Sequence, residues 1–433
     1  MPFRSPVDDV EIPNLSVFDY LFGSLAAEDA GRIALVDGAS GAETSYGALV
    51  AQIQGVAGAL AARGINPGDV VALHSPNVPA FAAAFHGILR AGAAATTVNA
   101  LYTAGEIESQ LRDSGAKMLI TVSPLLPQAL AAATAAGIER VIVMDGAEGH
   151  ESLRDLLMEQ AAAPDVSFDP ATHVAVIPYS SGTTGKPKGV VLTHRNLVSN
   201  VAQSLALITL TADDSVLAVL PFFHIYGMTV LLNLAMAIRA RLVTMLRFDL
   251  PEFLRIIQDH KITWVFIAPP IAVALAKHPM VDNFDMSSVK VVFSGAAPLD
   301  GELGHAVAKR LDCIVCQGYG MSEMSPVSHV IPTGRDDIPL ETVGITIPNM
   351  ESKLINVETG EEIEVPVECT SEPGELLCRG PNIMVGYLHN AEATADVLGA
   401  DGWLRTGDIA TVSSEGYVRI VDRLKELIKY KGY

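Results

Sequence analysis

The chain has 433 residues, 49 % hydrophobic and 18 % charged, and 49 acidic against 29 basic side chains give it a formal net charge of -20. The length exceeds one simple core and predicts two or three subdomains, and the composition excludes a disordered chain. The negative field argues against nucleic acid and anionic membrane surfaces as partners.

Four cysteines, Cys313, Cys316, Cys369 and Cys378, are too few for a disulfide framework. Cys313 and Cys316 form a C-x-x-C inside a strand-like run, without the second pair that a zinc site needs, so buried thiols in a reducing cytoplasm are expected. The N-terminus lacks an apolar signal core. Leu217 to Ile238 carries no Asp, Glu, Lys or Arg, but Pro221, His224, Gly227 and Asn233 interrupt it. It reads as a buried core segment rather than a stable membrane insertion.

From Thr44 helix and strand patterns alternate. Leu49, Ile53, Val56 and Leu60 share one helical face, and Gly64 and Pro67 end that helix. Strands follow at 69–74, 93–99, 117–122 and 140–145, with helices at 78–89 and 104–113 and an alanine-rich helix before the last strand. After Val174 come a helix at 196–206, a strand at 214–220 and a helix at 232–240. Strands at 242–246, 264–267, 289–293 and 313–316 follow, with a helix at 250–260. Beyond about residue 330 Pro and Gly become frequent and short strand runs dominate. The expected fold is α/β: two doubly wound, mostly parallel sheets flanked by helices, plus a small β-barrel-like subdomain. The expected divisions are 1–170, 171–330 with the glycine-rich loop, 331–421, and 422–433.

The chain centres on Tyr179-Ser-Ser-Gly-Thr-Thr-Gly-Lys-Pro-Lys-Gly189, between the apolar runs Val174–Pro178 and Val190–Leu192. Small residues let the backbone approach an anion, hydroxyls and N–H groups can surround phosphate oxygens, and lysine adds positive charge. It is not a Walker A loop: Pro187 stands where the second glycine would be, and the lysine after Gly185 is not followed by Ser or Thr.

This loop resembles the signature of the adenylate-forming superfamily, and five further blocks follow in that family's order: Pro221-Phe-Phe-His-Ile-Tyr-Gly227, Ser294-Gly-Ala-Ala-Pro-Leu299, Gln317-Gly-Tyr-Gly-Met-Ser-Glu323, Gly402-Trp-Leu-Arg-Thr-Gly-Asp408 and Asp422-Arg-Leu-Lys-Glu-Leu-Ile-Lys-Tyr-Lys-Gly432. The resemblance is greatest to the 4-coumarate–CoA ligase-like acyl-CoA synthetases. Gly374–Gly380 also resembles a family box, with a structural role implied.

The resemblance implies a two-step, AMP-forming acid–CoA ligase using ATP, Mg²⁺ and coenzyme A. For ATP or AMP it implies Ser180, Ser181, Gly182, Thr183, Thr184, Gly185 and Lys188 around phosphate, and Gln317, Gly318, Tyr319 and Ser322 near adenine. Asp408 and Arg423 would lie at the ribose, and a carboxylate suits a diol. Thr184 and Glu323 would hold the metal. The acyl pocket would be His224, Tyr226, Val230, Gly295, Ala296, Gly320, Pro326 and Val327, with Lys425 as hinge and Lys429 at the acyl-adenylate. His224, Lys188, Glu323 and Lys429 would be catalytic. Arg247, Lys431 and Gly432 would meet CoA. Family members continue past such a hinge into a small mobile domain with a Pro-x-x-x-x-Gly-Lys loop, a motif this sequence does not contain, so the chain is expected to be the large domain alone, impaired in thioester formation. An aryl acid of the cinnamate or 4-coumarate type is the expected substrate. The alternatives are a medium-chain fatty acyl-CoA synthetase and a non-catalytic nucleotide-binding protein.

Overall fold

The computed structural model describes residues 2–180 and 187–424. Three sheets organise them. The first runs, in spatial order, Gly386–Tyr387, Lys188–Thr193, Val174–Val176, Ala94–Val98, Val70–His74, Met118–Thr121 and Val141–Val143, and Tyr179–Ser180 also pairs with Lys188–Thr193. From Val174–Val176 onward all neighbours are parallel, whereas Lys188–Thr193 is antiparallel to its partners.

The second sheet runs Ile345–Thr346, Val327–Val330, Ile314–Gly320, Val291–Ser294, Trp264–Ile267, Ser215–Ala218, Arg241–Thr244, Ile33–Asp37 and Glu43–Ser45. Its centre, from Ile314–Gly320 to Ile33–Asp37, is parallel. These central strands are near-continuous apolar runs because helices cover both faces. The third sheet, built on Glu351–Ile355, Gly374–Arg379, Leu404–Val412 and Val418–Arg423, is antiparallel.

Strand pairing does not follow a division at 170/171. Ile33–Asp37 and Glu43–Ser45 join the second sheet, while Val174–Val176 and Lys188–Thr193 complete the first. Local patterning predicted the strands, but pairing is a long-range choice that patterning does not encode. One apolar core runs through all three sheets, and a smaller one lies under helices Ala104–Ser114 and Leu126–Ala136.

The expected helix at 232–240 starts earlier and differently. A π-helix spans Tyr226–Asn233 and continues as the α-helix Leu234–Ala237, with every residue from Tyr226 to Met236 buried. The uncharged stretch is therefore core, and among the described residues no helix is long and apolar enough to cross a membrane. Cys316 is buried and Cys313 half-buried, both free, and burial pushes both thiols up to about 12, so they are inert at neutral pH.

Both parallel sheets have a point where the connections diverge. Val70–His74 lies between Ala94–Val98 and Met118–Thr121, and Ser215–Ala218 between Arg241–Thr244 and Trp264–Ile267. Ligand crevices in such sheets open beyond the carboxyl ends of the strands at this point.

Candidate active site

The crevice of the second sheet is built from the loops that leave those carboxyl ends. After Ser215–Ala218 the chain turns through Pro221 to Ile225, held from the first sheet. Asn77 Nδ2 donates to the carbonyls of Ala218 (2.9 Å) and Leu220 (2.8 Å), and its Oδ1 accepts from Phe222 N–H at 2.7 Å. Thr97 Oγ1 donates to Phe223 O at 2.7 Å. His224 is thereby fixed at the cleft mouth, open to solvent. Its Nδ1 accepts from Tyr226 N–H at 3.2 Å, so the neutral ring carries its proton on Nε2 and keeps one donor. The protein crowded around the ring disfavours the imidazolium and holds its pKa below the usual histidine range.

His224, Tyr226, Val230, Gly295, Ala296, Gly320, Pro326 and Val327 all line one cavity, together with Phe293 and Met321. The two glycines are there for different neighbours than the acyl chain. A Cβ on Gly295 would stand 2.7 Å from Tyr226 Cε1, so glycine makes room for the tyrosine ring. A Cβ on Gly320 would stand 2.0 Å from Pro326 O, so glycine lets strand Ile314–Gly320 close against the turn before Val327. Ala296 adopts φ +70, a left-handed conformation unusual for alanine. The Tyr226 hydroxyl is buried and has no hydrogen-bond partner among the described residues. Behind Val230, Phe293 and Val327 lies a chamber of ≈ 20 Å³, closed by Leu234, Phe266, Val330 and Ser204, whose hydroxyl is also unpartnered.

A second cavity of ≈ 420 Å³ shares Ala296, Gly318, Tyr319, Gly320 and Met321 with the first, and reaches Asp408 and Arg423. Tyr319 Oη donates to Asp408 Oδ2 at 2.6 Å, and Arg423 Nε lies 3.6 Å from Oδ1. Burial and the facing carboxylate hold the Tyr319 phenol far above its ordinary range, so it stays a donor. Gln317 also lines this cavity, but its side chain is engaged elsewhere. Oε1 accepts from Leu299 N–H at 3.1 Å and Nε2 donates to the carbonyls of Leu299 and Leu340. Its amide fixes the loop after Val291–Ser294 and is not available to a nucleotide. Ser322 is buried and opens the single 3₁₀ turn that carries Glu323.

Lys188 pairs in register with Ser180 at the base of the glycine-rich loop. Glu323 is only 5 % exposed, and its Oε1 accepts from Tyr387 Oη at 2.7 Å and from Ser180 Oγ at 3.4 Å. Among the described residues no hydrogen bond reaches Oε2. The Lys188 ammonium sits 4.5 Å from the centre of the Tyr387 ring. One hard carboxylate oxygen beside a hydroxyl-rich loop suits Mg²⁺, which takes few protein ligands and keeps phosphate and water. Among the described residues no cluster of three or more metal-binding side chains competes with it. Ser181, Gly182, Thr183, Thr184 and Gly185, and Lys425, Lys429, Lys431 and Gly432, lie outside the described residues. Arg247 is exposed on the loop after Arg241–Thr244 and lines neither cavity.

Asn77, Thr97 and Tyr387 were not legible as site residues. Each acts through a partner far away in sequence, and none sits in a block with a chemical signature. An apolar pocket with an imidazole at its mouth thus adjoins a polar cavity bearing a phenol, a carboxylate and a guanidinium. Beside them stand an ammonium and a buried carboxylate. The arrangement can seat an apolar acid next to a polyhydroxylated anion.

The family model described as AMP-binding enzyme matches residues 23–388. The chain belongs to that family. Among curated relatives it is 40 % identical over 441 residues to 4-coumarate–CoA ligase 5 of Oryza sativa subsp. japonica, covering 100 % of this chain and 80 % of the relative. It is 39 % identical, with the same coverage, to 4-coumarate–CoA ligase 1 of Solanum tuberosum. Among solved structures, a long-chain-fatty-acid–CoA ligase from Archaeoglobus fulgidus matches with TM-score 0.89 and 26 % identity, over 98 % of this chain and 87 % of that one. ATP-bound MatB from Rhodopseudomonas palustris matches with TM-score 0.85 and 28 % identity, over 97 % and 81 %. This AMP-binding enzyme is an acid–thiol ligase that uses ATP and CoA, with the adenylate-forming fold expected from its blocks.

Proposed function

We propose that this ligase activates an aryl acid of the cinnamate or 4-coumarate type. The observation that carries the reading is the short apolar pocket of Tyr226, Val230, Phe293 and Val327, which ends in a chamber of ≈ 20 Å³. That end space admits about one water-sized group. A flat ring with at most a small substituent fits it, and the names of the curated relatives point the same way.

The acid's carboxylate oxygen attacks the α-phosphorus of ATP, forming acyl-AMP and expelling pyrophosphate. The CoA thiol then attacks the acyl carbonyl and AMP leaves. No covalent enzyme intermediate is needed, so the side chains position groups and compensate charge. The His224 Nε2–H meets the acid's carboxylate. Lys188 and the loop Ser180 to Gly185 surround the phosphates, Tyr319 packs against adenine, and Asp408 with Arg423 holds the ribose. Glu323 and Thr184 would hold Mg²⁺, which supplies neutralisation of phosphate charge when bound. Lys425 and Lys429 act at the hinge and the adenylate, and Arg247, Lys431 and Gly432 on the CoA side.

A second reading, a medium-chain fatty acid, is favoured by the apolar continuation past Phe293 toward Leu234 and Phe266. The test is mass spectrometry of adenylates formed from MgATP with cinnamate, 4-coumarate, benzoate, octanoate and palmitate. Cinnamoyl or coumaroyl adenylate is expected. Octanoyl adenylate alone would overturn the aryl reading.

A further inference from the structure

Tyr387 stands in the two-residue strand Gly386–Tyr387, which pairs antiparallel with Lys188–Thr193 through Val190↔Tyr387 and Val191↔Gly386. That register seats it beside the strand that starts at Lys188, 64 residues from Glu323 in sequence. Its two ends do different things. The phenol oxygen holds Glu323 Oε1 at 2.7 Å, and the ring face lies 4.5 Å from the Lys188 ammonium. Thr394 Oγ1 accepts from Tyr387 N–H at 2.8 Å and fixes the backbone. Glu323 comes from elsewhere, on the 3₁₀ turn Ser322–Met324, which Met384 N–H reaches at Glu323 O (2.9 Å).

We infer that Tyr387 is a positioning residue that sets the Glu323 carboxylate and the Lys188 ammonium in register for a divalent cation–nucleoside triphosphate pair, leaving Glu323 Oε2 to the cation. Both hydrogen bonds that Glu323 accepts from described residues fall on Oε1. A carboxylate fixed through one oxygen presents the other at a set angle, which is how outer partners tune metal ligands. A phenol does this without bringing a second charge, so the net charge at the site stays that of the carboxylate and the lysine. The ring holds Lys188 by cation–π attraction rather than by an ion pair that would pull the ammonium onto Glu323 and quench both groups. The inference rests on the adenylating reading of the site.

The test separates the two ends of the side chain. Tyr387→Phe keeps the ring and loses the hydroxyl, and Tyr387→Leu loses both. Binding of ATP is measured by calorimetry without metal and with graded Mg²⁺, and Mn²⁺ uptake in the presence of ATP by electron paramagnetic resonance. Tyr387→Phe should weaken the divalent dependence about tenfold or more, as loss of an outer partner does, with metal-free ATP affinity unchanged. Tyr387→Leu should weaken metal-free ATP binding as well. The inference is overturned if Tyr387→Phe binds cation and ATP as the unaltered chain does, or if metal-free binding falls equally in both variants. Failure of the unaltered chain to bind MgATP would instead overturn the functional reading beneath it.

Discussion

At the scale of single residues, the pocket wall holds a buried polar group that no described residue satisfies. The Tyr226 hydroxyl is buried without a partner among the described residues, with burial holding its phenol far above the usual range. Leaving such a group unpaired costs about 1–3 kcal/mol. Gly295 leaves room for the ring and its oxygen alike, a Cβ there standing 2.7 Å from Cε1 and 2.9 Å from the hydroxyl. Tyr226→Phe is therefore expected to leave the free protein as stable or more stable in urea melts. On the proposed aryl reading it should also lower the ratio of adenylation efficiencies on 4-coumarate and cinnamate. A variant that loses stability yet keeps the ratio would assign the hydroxyl to the fold. The blocks around Tyr226, Tyr319, Glu323 and Asp408 were legible because their chemistry is local: glycines beside an aromatic, then a carboxylate. Gln317 lies in such a block and still proved a scaffold residue, since its amide meets Leu299 and Leu340 only once the loops are folded.

One element ties the pocket wall together. Helix His194–Leu205 starts in a capping box between Thr193 and Asn196. Asn196, Asn200 and Gln203 follow at spacings of four and three, on one face. Asn196 Nδ2 donates to the carbonyls of Pro381 and Ile383, and Gln203 Nε2 to Pro348 O. Asn200 clasps Val327, donating to its carbonyl at 2.8 Å and accepting from its N–H at 3.1 Å. Asn382 Nδ2 also reaches the Val327 carbonyl, at 3.1 Å, and no other side chain among the described residues serves the N–H. Asn200→Ala thus removes the side-chain acceptor of a part-buried N–H and one donor to the same residue's carbonyl. A stability loss of about 1–3 kcal/mol is expected, together with a raised KM for the acid and an unchanged Kd for ATP. Equal losses for both ligands would show a general loosening instead. The helix was readable from its period, whereas its function as a clamp was not. Its partners lie 127, 145 and 185 residues away and are backbone groups, which no side-chain pattern announces. Patterning did not show the π-helix at Tyr226–Asn233 either, since Gly227 and Asn233 read only as interruptions of the apolar run.

Across the whole molecule, buried neutral histidines set how the fold responds to acid. His194 accepts from Val17 N–H through Nδ1, while its Nε2 is buried without a partner among the described residues. Burial first, and then the neighbouring His173, pushes it down to about 3. His329 lies among the hydroxyls of Ser328, Thr346 and Ser352, and burial pushes it down to about 3. In the unfolded chain both titrate near 6.5. Below that pH the unfolded state takes up protons that the folded state refuses until about pH 3. Stability is then fully present above about pH 6.5 and declines as pH falls toward the folded values. At roughly 1.4 kcal/mol per pH unit for each group, the pair loses ~4 kcal/mol between pH 7 and pH 5. Urea unfolding at pH 8, 7, 6 and 5 should show this decline, and His329→Gln should remove no more than about a quarter of the slope, because burial also pushes His74 and His86 down to about 4 and they act in the same sense. A flat profile from pH 7 to pH 5 would mean that these rings reach solvent or a proton acceptor in the folded protein.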